Sequence, residues 1–234
     1  YLKTPRLVGL LAVTLAAAAG SAMVIVNTVV IVKNMGRSEG DVALALAAYG
    51  AGSMLAALAL PRILTGVKDR TVMIFGAALL VATLAAIGLV FGQLGTQPLW
   101  PFLLVGWLAM GIGYSLCVTP SGRLLKRSSA DEDRPALFAA QFALSHVCWL
   151  VAYPMAGQIG ARFGMTPTFL VLAALGILGV GLTLWLWPRK DPSMLYHTHP
   201  ELPSDHPHLQ EHGSDGHRHH FVIDDLHVGW PGKV

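Results

Sequence analysis

Charge is scarce in this chain. Only 12% of its 234 residues are Asp, Glu, Lys or Arg, about half the share in ordinary soluble proteins. Together with 54% hydrophobic residues and a mean hydropathy of +0.57, that shortage excludes a water-soluble domain. Cysteine is also rare. Cys117 and Cys148 both fall in apolar runs, which excludes a disulfide scaffold and suits them to packing as small, soft side chains. Alternation of polar and apolar residues over segments of about ten is missing, so a porin-like barrel is excluded. There is no His-Glu-x-x-His zinc motif and no Gly-x-x-x-x-Gly-Lys phosphate loop, which argues against metalloprotease chemistry and direct ATP hydrolysis.

What is present is six apolar runs, each long enough to cross about 30 Å of hydrocarbon as a helix. They are Leu7–Val32, Val42–Leu60, Val72–Phe91, Leu99–Thr119, Ala136–Ile159 and Thr168–Trp187. Charge, Gly or Pro marks every gap between them. Lys3, Arg6, Arg62, Lys68, Arg70, Arg123, Lys126, Arg127, Arg134, Arg189 and Lys190 fall on one side, and only Lys33, Arg37 and Arg162 on the other. Retention of positive charge in the cytoplasm therefore places both termini there. The pI near 9.0 is this topology signal and needs no nucleic-acid partner. The first run follows a short basic stretch but is too long for a removed signal peptide and has no cleavage site behind it. A first residue of Tyr instead of Met suggests the downstream piece of something longer. Residues 1–188 form the membrane part, and 189–234 a polar, disordered cytoplasmic tail.

The chain repeats once. At the offset of 93 residues that separates Gly20 from Gly113, Pro61 pairs with Pro154 and Gly88 with Gly181. A three-helix unit repeated once enters the membrane from the opposite side the second time, because three is odd. The expected fold is thus all-α, six transmembrane helices in a 3+3 inverted repeat, an arrangement typical of secondary transporters.

Two further stretches carry a resemblance. One is the short basic loop Gly66-Val67-Lys68-Asp69-Arg70. The other is the run Tyr153-Pro154-Met155-Ala156-Gly157 leading into Gly160-Ala161-Arg162-Phe163-Gly164. With the repeat, they make residues 1–188 resemble the C-terminal six-helix half of a major facilitator superfamily transporter. The resemblance implies that Asp69 and Arg70 belong to a cytoplasmic hinge loop whose charges lock neighbouring helix ends. The glycine spacing and second basic cluster of that loop are incomplete here. It also implies the lipid bilayer of a bacterial inner membrane, and pairing with an N-terminal transporter half or a second copy.

None of the thirteen acidic residues lies inside a run. Cation diffusion facilitators resemble the chain in outline, yet they hold metal through intramembrane Asp and His pairs, and the Asp is missing. His146 is the one strongly ionisable side chain in the runs, with Gln141 and Ser145 beside it. It suits either proton coupling or hydrogen-bonded packing. Asn27 and Thr28, Tyr49 and Ser53, and Tyr114, Ser115 and Thr119 offer either hydrogen bonds to a substrate or bonds to their own helix backbones. Gly113-Tyr114-Ser115 opens the turn of an intramembrane serine protease but continues with Leu116, so no enzyme is expected.

Nine of the ten histidines sit in the tail: His197, His199, His206, His208, His212, His217, His219, His220 and His227. His-x-His pairs project to one side of an extended backbone and suit Zn, Ni, Cu or Co. Each pair is expected to grip one ion weakly, with Asp205, Glu211, Asp215, Asp224 and Asp225 available to complete a shell. All but His227 are taken as the metal set, and a solvated tail with incidental histidines is the other reading. Nickel- and cobalt-resistance exporters of the major facilitator superfamily resemble the chain in their His-rich cytoplasmic tails. The expected function is proton-coupled metal efflux by an antiporter. A drug or small-organic-molecule exporter, or a membrane-tethered metal-binding protein that does not transport, is the alternative. No cofactor is required; Ni, Co or Zn enters as cargo or tail ligand.

Overall fold

The computed structural model describes residues 1–192, 194–200, 202–213, 216–227 and 229–231, with the side chain of His212 outside that description. The apolar runs become α1 (Pro5–Asn34), α2 (Glu39–Gly66), α3 (Asp69–Phe91), α4 (Thr96–Val118), α6 (Arg134–Phe163) and α7 (Met165–Leu186), with the short α5 (Ser121–Arg127) following α4. Among the described residues six helices are long and apolar enough to cross a membrane, Thr96–Arg127 counting as one span. Without water in the hydrocarbon each backbone N–H must bond within its own segment, and these runs satisfy that only as helices.

Local chemistry sets the ends. Pro5 opens α1, where its missing N–H costs nothing. Ser38 and Asp41 cap α2 reciprocally, each side chain accepting the other's backbone N–H at 3.2 and 3.1 Å. Gly164, at φ +85, turns α6 directly into α7. Two expected gaps are corrected. The helix continues through Pro61 to Gly66, since transmembrane helices tolerate a proline in their interior. The segment after Pro120 coils into α5 instead of remaining a loop.

The 93-residue offset holds in three dimensions. It carries α1 onto α4 and α5, α2 onto α6, and α3 onto α7, to within a few residues at each end. Packing obeys the same exchange: α2 and α3 lie on α4, α6 and α7 lie on α1, and α3 meets α7. The two triplets interleave as an inverted repeat, with α1 and α4 innermost.

Lipid tails are as apolar as leucine, so helix association here depends on close backbone approach at small residues. A Cβ added to Gly111 would lie 1.9 Å from the Tyr49 carbonyl oxygen, and one on Gly52 would lie 2.0 Å from that of Leu108. The opposite extreme is α6, where 11% of the most apolar stretch is buried, against 72% in α1. It presents Phe142, Val147, Leu150 and Val151 outward.

The tail differs from the expected disorder. Strands β1 (Met194–His197) and β2 (His217–His220) pair antiparallel, with His197 opposite His217, and the short α8 (Pro207–His212) lies between them in sequence.

Gly111→Ala should force α2 from α4 and destabilise the protein by about 1–3 kcal/mol, as overpacking does. Gly181→Ala, whose Cβ meets nothing within 4 Å, should be neutral or slightly stabilising. Thermal unfolding in detergent checks the pair; equal midpoints would show that the α2–α4 contact does not limit stability.

Candidate functional site

The end of the bundle that carries the basic loops is tied by two acidic residues. Asp69, buried at the start of α3, accepts from Arg123 of α5 at 2.8 and 2.9 Å, and Arg123 also donates to the Leu64 carbonyl at 3.1 Å. Arg70 donates to the Trp187 carbonyl at 3.0 Å, satisfying an orphan acceptor at the negative end of α7. The expected hinge pair therefore does reach neighbouring helix ends. Asp191 was not anticipated. It faces buried Arg6 of α1 at 3.3 Å and Arg127 of α5 at 2.6 Å, and accepts from Trp187 Nε1 at 3.1 Å. A single acid just past the last span gave no pattern to read.

Between α1, α4, α5 and α6 lies a cleft of about 570 Å³. Leu10, Thr14, Tyr114, Cys117, Ser121, Phe142 and Trp149 line it, as do the expected Gln141 and Ser145. The Thr14 and Ser145 hydroxyls donate to carbonyls of their own helices at 2.9 and 2.7 Å, and Ser121, opening α5, donates to the Val118 carbonyl at the end of α4 at 2.6 Å. Gln141 accepts from the Tyr1 hydroxyl. Rings join the walls: Tyr49 lies 6.0 Å from Tyr114, which lies 6.3 Å from Trp149. This lining offers hydroxyl, amide, thiol and ring faces, with no carboxylate or imidazole.

The other expected residues fall elsewhere. His146 is exposed on α6 beside the cleft, its Nδ1 donating to the Phe142 carbonyl at 2.7 Å and its ring 4.2 Å from that of Phe142. Asn27 is buried and donates to the Ala156 carbonyl at 3.2 Å, joining α1 to α6. Thr28 accepts from Trp107 Nε1 at 2.7 Å. Ser115 is buried 3.1 Å from the Thr119 hydroxyl.

The tail histidines pool instead of acting in separate pairs. The side-chain nitrogens of His197, His199, His208 and His227 lie within 4.8 Å of one another, and so do those of His197, His208, His217 and His219. Strand alternation explains the choice: His217 and His219 share one face of β2, while His220 and Arg218 take the other. His206 caps α8, its Nδ1 accepting from the His208 N–H at 3.3 Å. His212 lies outside the described side chains, and Asp215 outside the described residues. His227, left out of the expected metal set, reaches the cluster after a turn in which Asp224 accepts its backbone N–H. Burial first, and then neighbouring imidazoles, push His197 and His208 down to about 4. Burial, then Arg6 and Arg127, lowers His220. At neutral pH His197 and His208 are therefore neutral rings able to act as ligands.

The family model described as Major Facilitator Superfamily matches residues 9–211. No curated protein and no solved structure matches the chain.

Asp191→Asn should leave Arg6 buried without its counter-charge and cost about 3 kcal/mol. Adding Arg6→Met should recover part of that loss, because it removes the stranded charge. Melting midpoints of the single and double variants check this, and additive losses would show that the two residues do not act as a pair.

Proposed function

This chain belongs to the Major Facilitator Superfamily, and on that footing we propose that it moves a small organic solute by alternating access, driven by a proton gradient. One observation carries the reading: the cleft lies on the seam between the two inverted triplets, bounded by α1 of the first and by α4, α5 and α6 of the second. Its size and aromatic lining with a few polar groups suit an organic ligand.

The mirror relation supplies a gate. The counterparts of Gly52 and Gly111 at the 93-residue offset are Ser145 and Ala18. Glycines let α2 close on α4, whereas the matching positions on α6 and α1 carry side chains, and Ser145 lines the cleft. In this reading one crossing is closed and its mirror image open, which is what alternating access requires of a pseudo-symmetric pair. In this reading Tyr114, Gln141 and Ser145 contact solute, with Tyr49 and Ser115 behind them and Asn27 holding α6. His146, close to the cleft wall, carries the coupling proton. Asp69 and Arg70 hold the helix ends that move. The exposed face of α6 pairs with another transporter half or a second copy in the bilayer.

A divalent transition metal as cargo is the second reading, favoured by the tail imidazoles and opposed by a cleft without charged ligands. In inside-out vesicles with an imposed pH gradient, a small aromatic probe should accumulate. Tyr114→Ala should lower its apparent affinity about tenfold, roughly 1.4 kcal/mol, and His146→Ala should abolish the pH-driven part. Nickel or cobalt movement without probe movement would reverse the two readings, and unchanged coupling in the His146 variant would remove that residue from the mechanism. Ala18→Gly with Ser145→Gly should let α6 close on α1 and slow thiol labelling of a Ser121→Cys reporter. Unaltered labelling would mean that these side chains do not prop the cleft open.

A further inference from the structure

The tail's imidazoles are arranged by their hydrogen bonds. His197 Nδ1 is 3.2 Å from the Leu195 carbonyl, His217 Nδ1 is 2.9 Å from the Gly213 carbonyl, and His227 Nδ1 is 2.7 Å from an Asp224 carboxylate oxygen. A carbonyl or carboxylate only accepts, so each Nδ1 carries the proton and each Nε2 presents a lone pair. That is how metal-binding imidazoles are oriented by their outer partners. Yet His197 Nε2 and His227 Nε2 lie 3.0 Å apart, and two lone pairs at that distance repel unless a cation sits between them. A shared proton bridges two nitrogens only. Here the nitrogens of two further rings, His199 and His208, converge on the same space. Four nitrogens about 2.0–2.1 Å from a tetrahedral ion stand roughly 3.3 Å from each other, within the observed spread.

We propose that His197, His199, His208 and His227 form a metal centre that takes one borderline divalent ion, Zn(II), Co(II), Ni(II) or Cu(II), on four imidazole nitrogens. His217 and His219 make a second grouping only by borrowing His197 and His208 from this set. Filling one set consumes ligands of the other, so each chain holds one ion. His206 and His220 stand outside it, one capping α8 and the other on the outer face of β2. The ligands come from separate stretches, so the ion adds to the packing of buried Phe221 on His197 and His227 in holding those stretches together. The centre is also anchored: Trp230, just past its last ligand, lies under the Arg6 guanidinium at 4.7 Å, and Arg6 donates to the Pro192 carbonyl at 3.4 Å. Ion binding therefore bears on the α1 and α5 ends that border the cleft. The centre goes beyond the transport reading and does not depend on it.

Titration of the purified full chain with Co(II), followed by visible absorption, tests this. One ion per chain with the intense bands of tetrahedral Co(II) is expected. His197→Ala and His227→Ala should each weaken binding at least about tenfold, and Asp224→Asn about tenfold through its outer-shell bond. His206→Ala and His220→Ala should change it little. His227→Cys keeps a ligand and should add a thiolate-to-metal charge-transfer band, a gain that a merely misfolded tail would not show. Two or more equivalent ions, a weak octahedral spectrum, equal losses at His206 and His227, or no charge-transfer band would overturn the centre. A filled centre in a chain that moves no metal in vesicles supports it and removes metal as cargo. Failure of solute transport leaves the titration unchanged.

Discussion

Backbone contact between α2 and α4 at Gly52 and Gly111 is the constraint on which the rest of the bundle depends. In lipid no helix pair gains by hiding apolar surface from water, so association comes from atoms that can touch. With α2 seated on α4 and α3 against both α4 and α7, the first triplet wraps the opening helix of the second. The exchanged contacts of α6 and α7 on α1 follow from the same geometry. At the matching positions the repeat carries Ser145 and Ala18 in place of glycine. Ser145 lines the cleft, so the cavity borders one of the places where the two triplets depart from symmetry.

Charge enters only at the rim, and there it ties elements that the apolar contacts leave free. Arg6 is buried in α1 with Asp191 as its counter-charge, and Arg127 approaches the same carboxylate from α5. Buried ion pairs add little net stability compared with well-packed apolar residues, but they are costly to break singly. Their effect here is positional. They fix where α5 and the start of the tail stand relative to α1, next to the cleft. Asp69 and Arg70 do the same for the ends of α2, α5 and α7.

The six spans and the inverted repeat were legible because each is written locally, as an apolar run or a repeated Gly or Pro. Gln141 and Ser145, singled out beside His146, and Tyr114, singled out on another helix, line one cleft, a juxtaposition that no spacing along the chain shows. Roles set by a distant backbone atom were not legible. Asn27 finds its acceptor at Ala156 on another helix, and no spacing rule reaches that far. Asp191 takes its importance from two arginines brought to it by folding. The histidines misled in another way. Their clustering in sequence suggested several sites, whereas a strand pair merges rings from separate clusters and turns His220 outward.

The cleft and the tail carry different chemistry, and that contrast bears on what each does. An ion relayed from the tail into this half of the membrane would leave four nitrogen ligands for hydroxyls, an amide and aromatic rings, none of which holds a borderline divalent ion comparably. The loss of affinity along that path would be steep. An ion held by the proposed centre, beside Arg6, would be better placed to report the presence of metal to the bundle than to supply it. Coupling of this kind requires only that the ion favour one placement of the anchored segment over another. The contacts of Arg6 with Trp230, Pro192 and Asp191 provide a physical link between the imidazole cluster and the helix ends around the cleft.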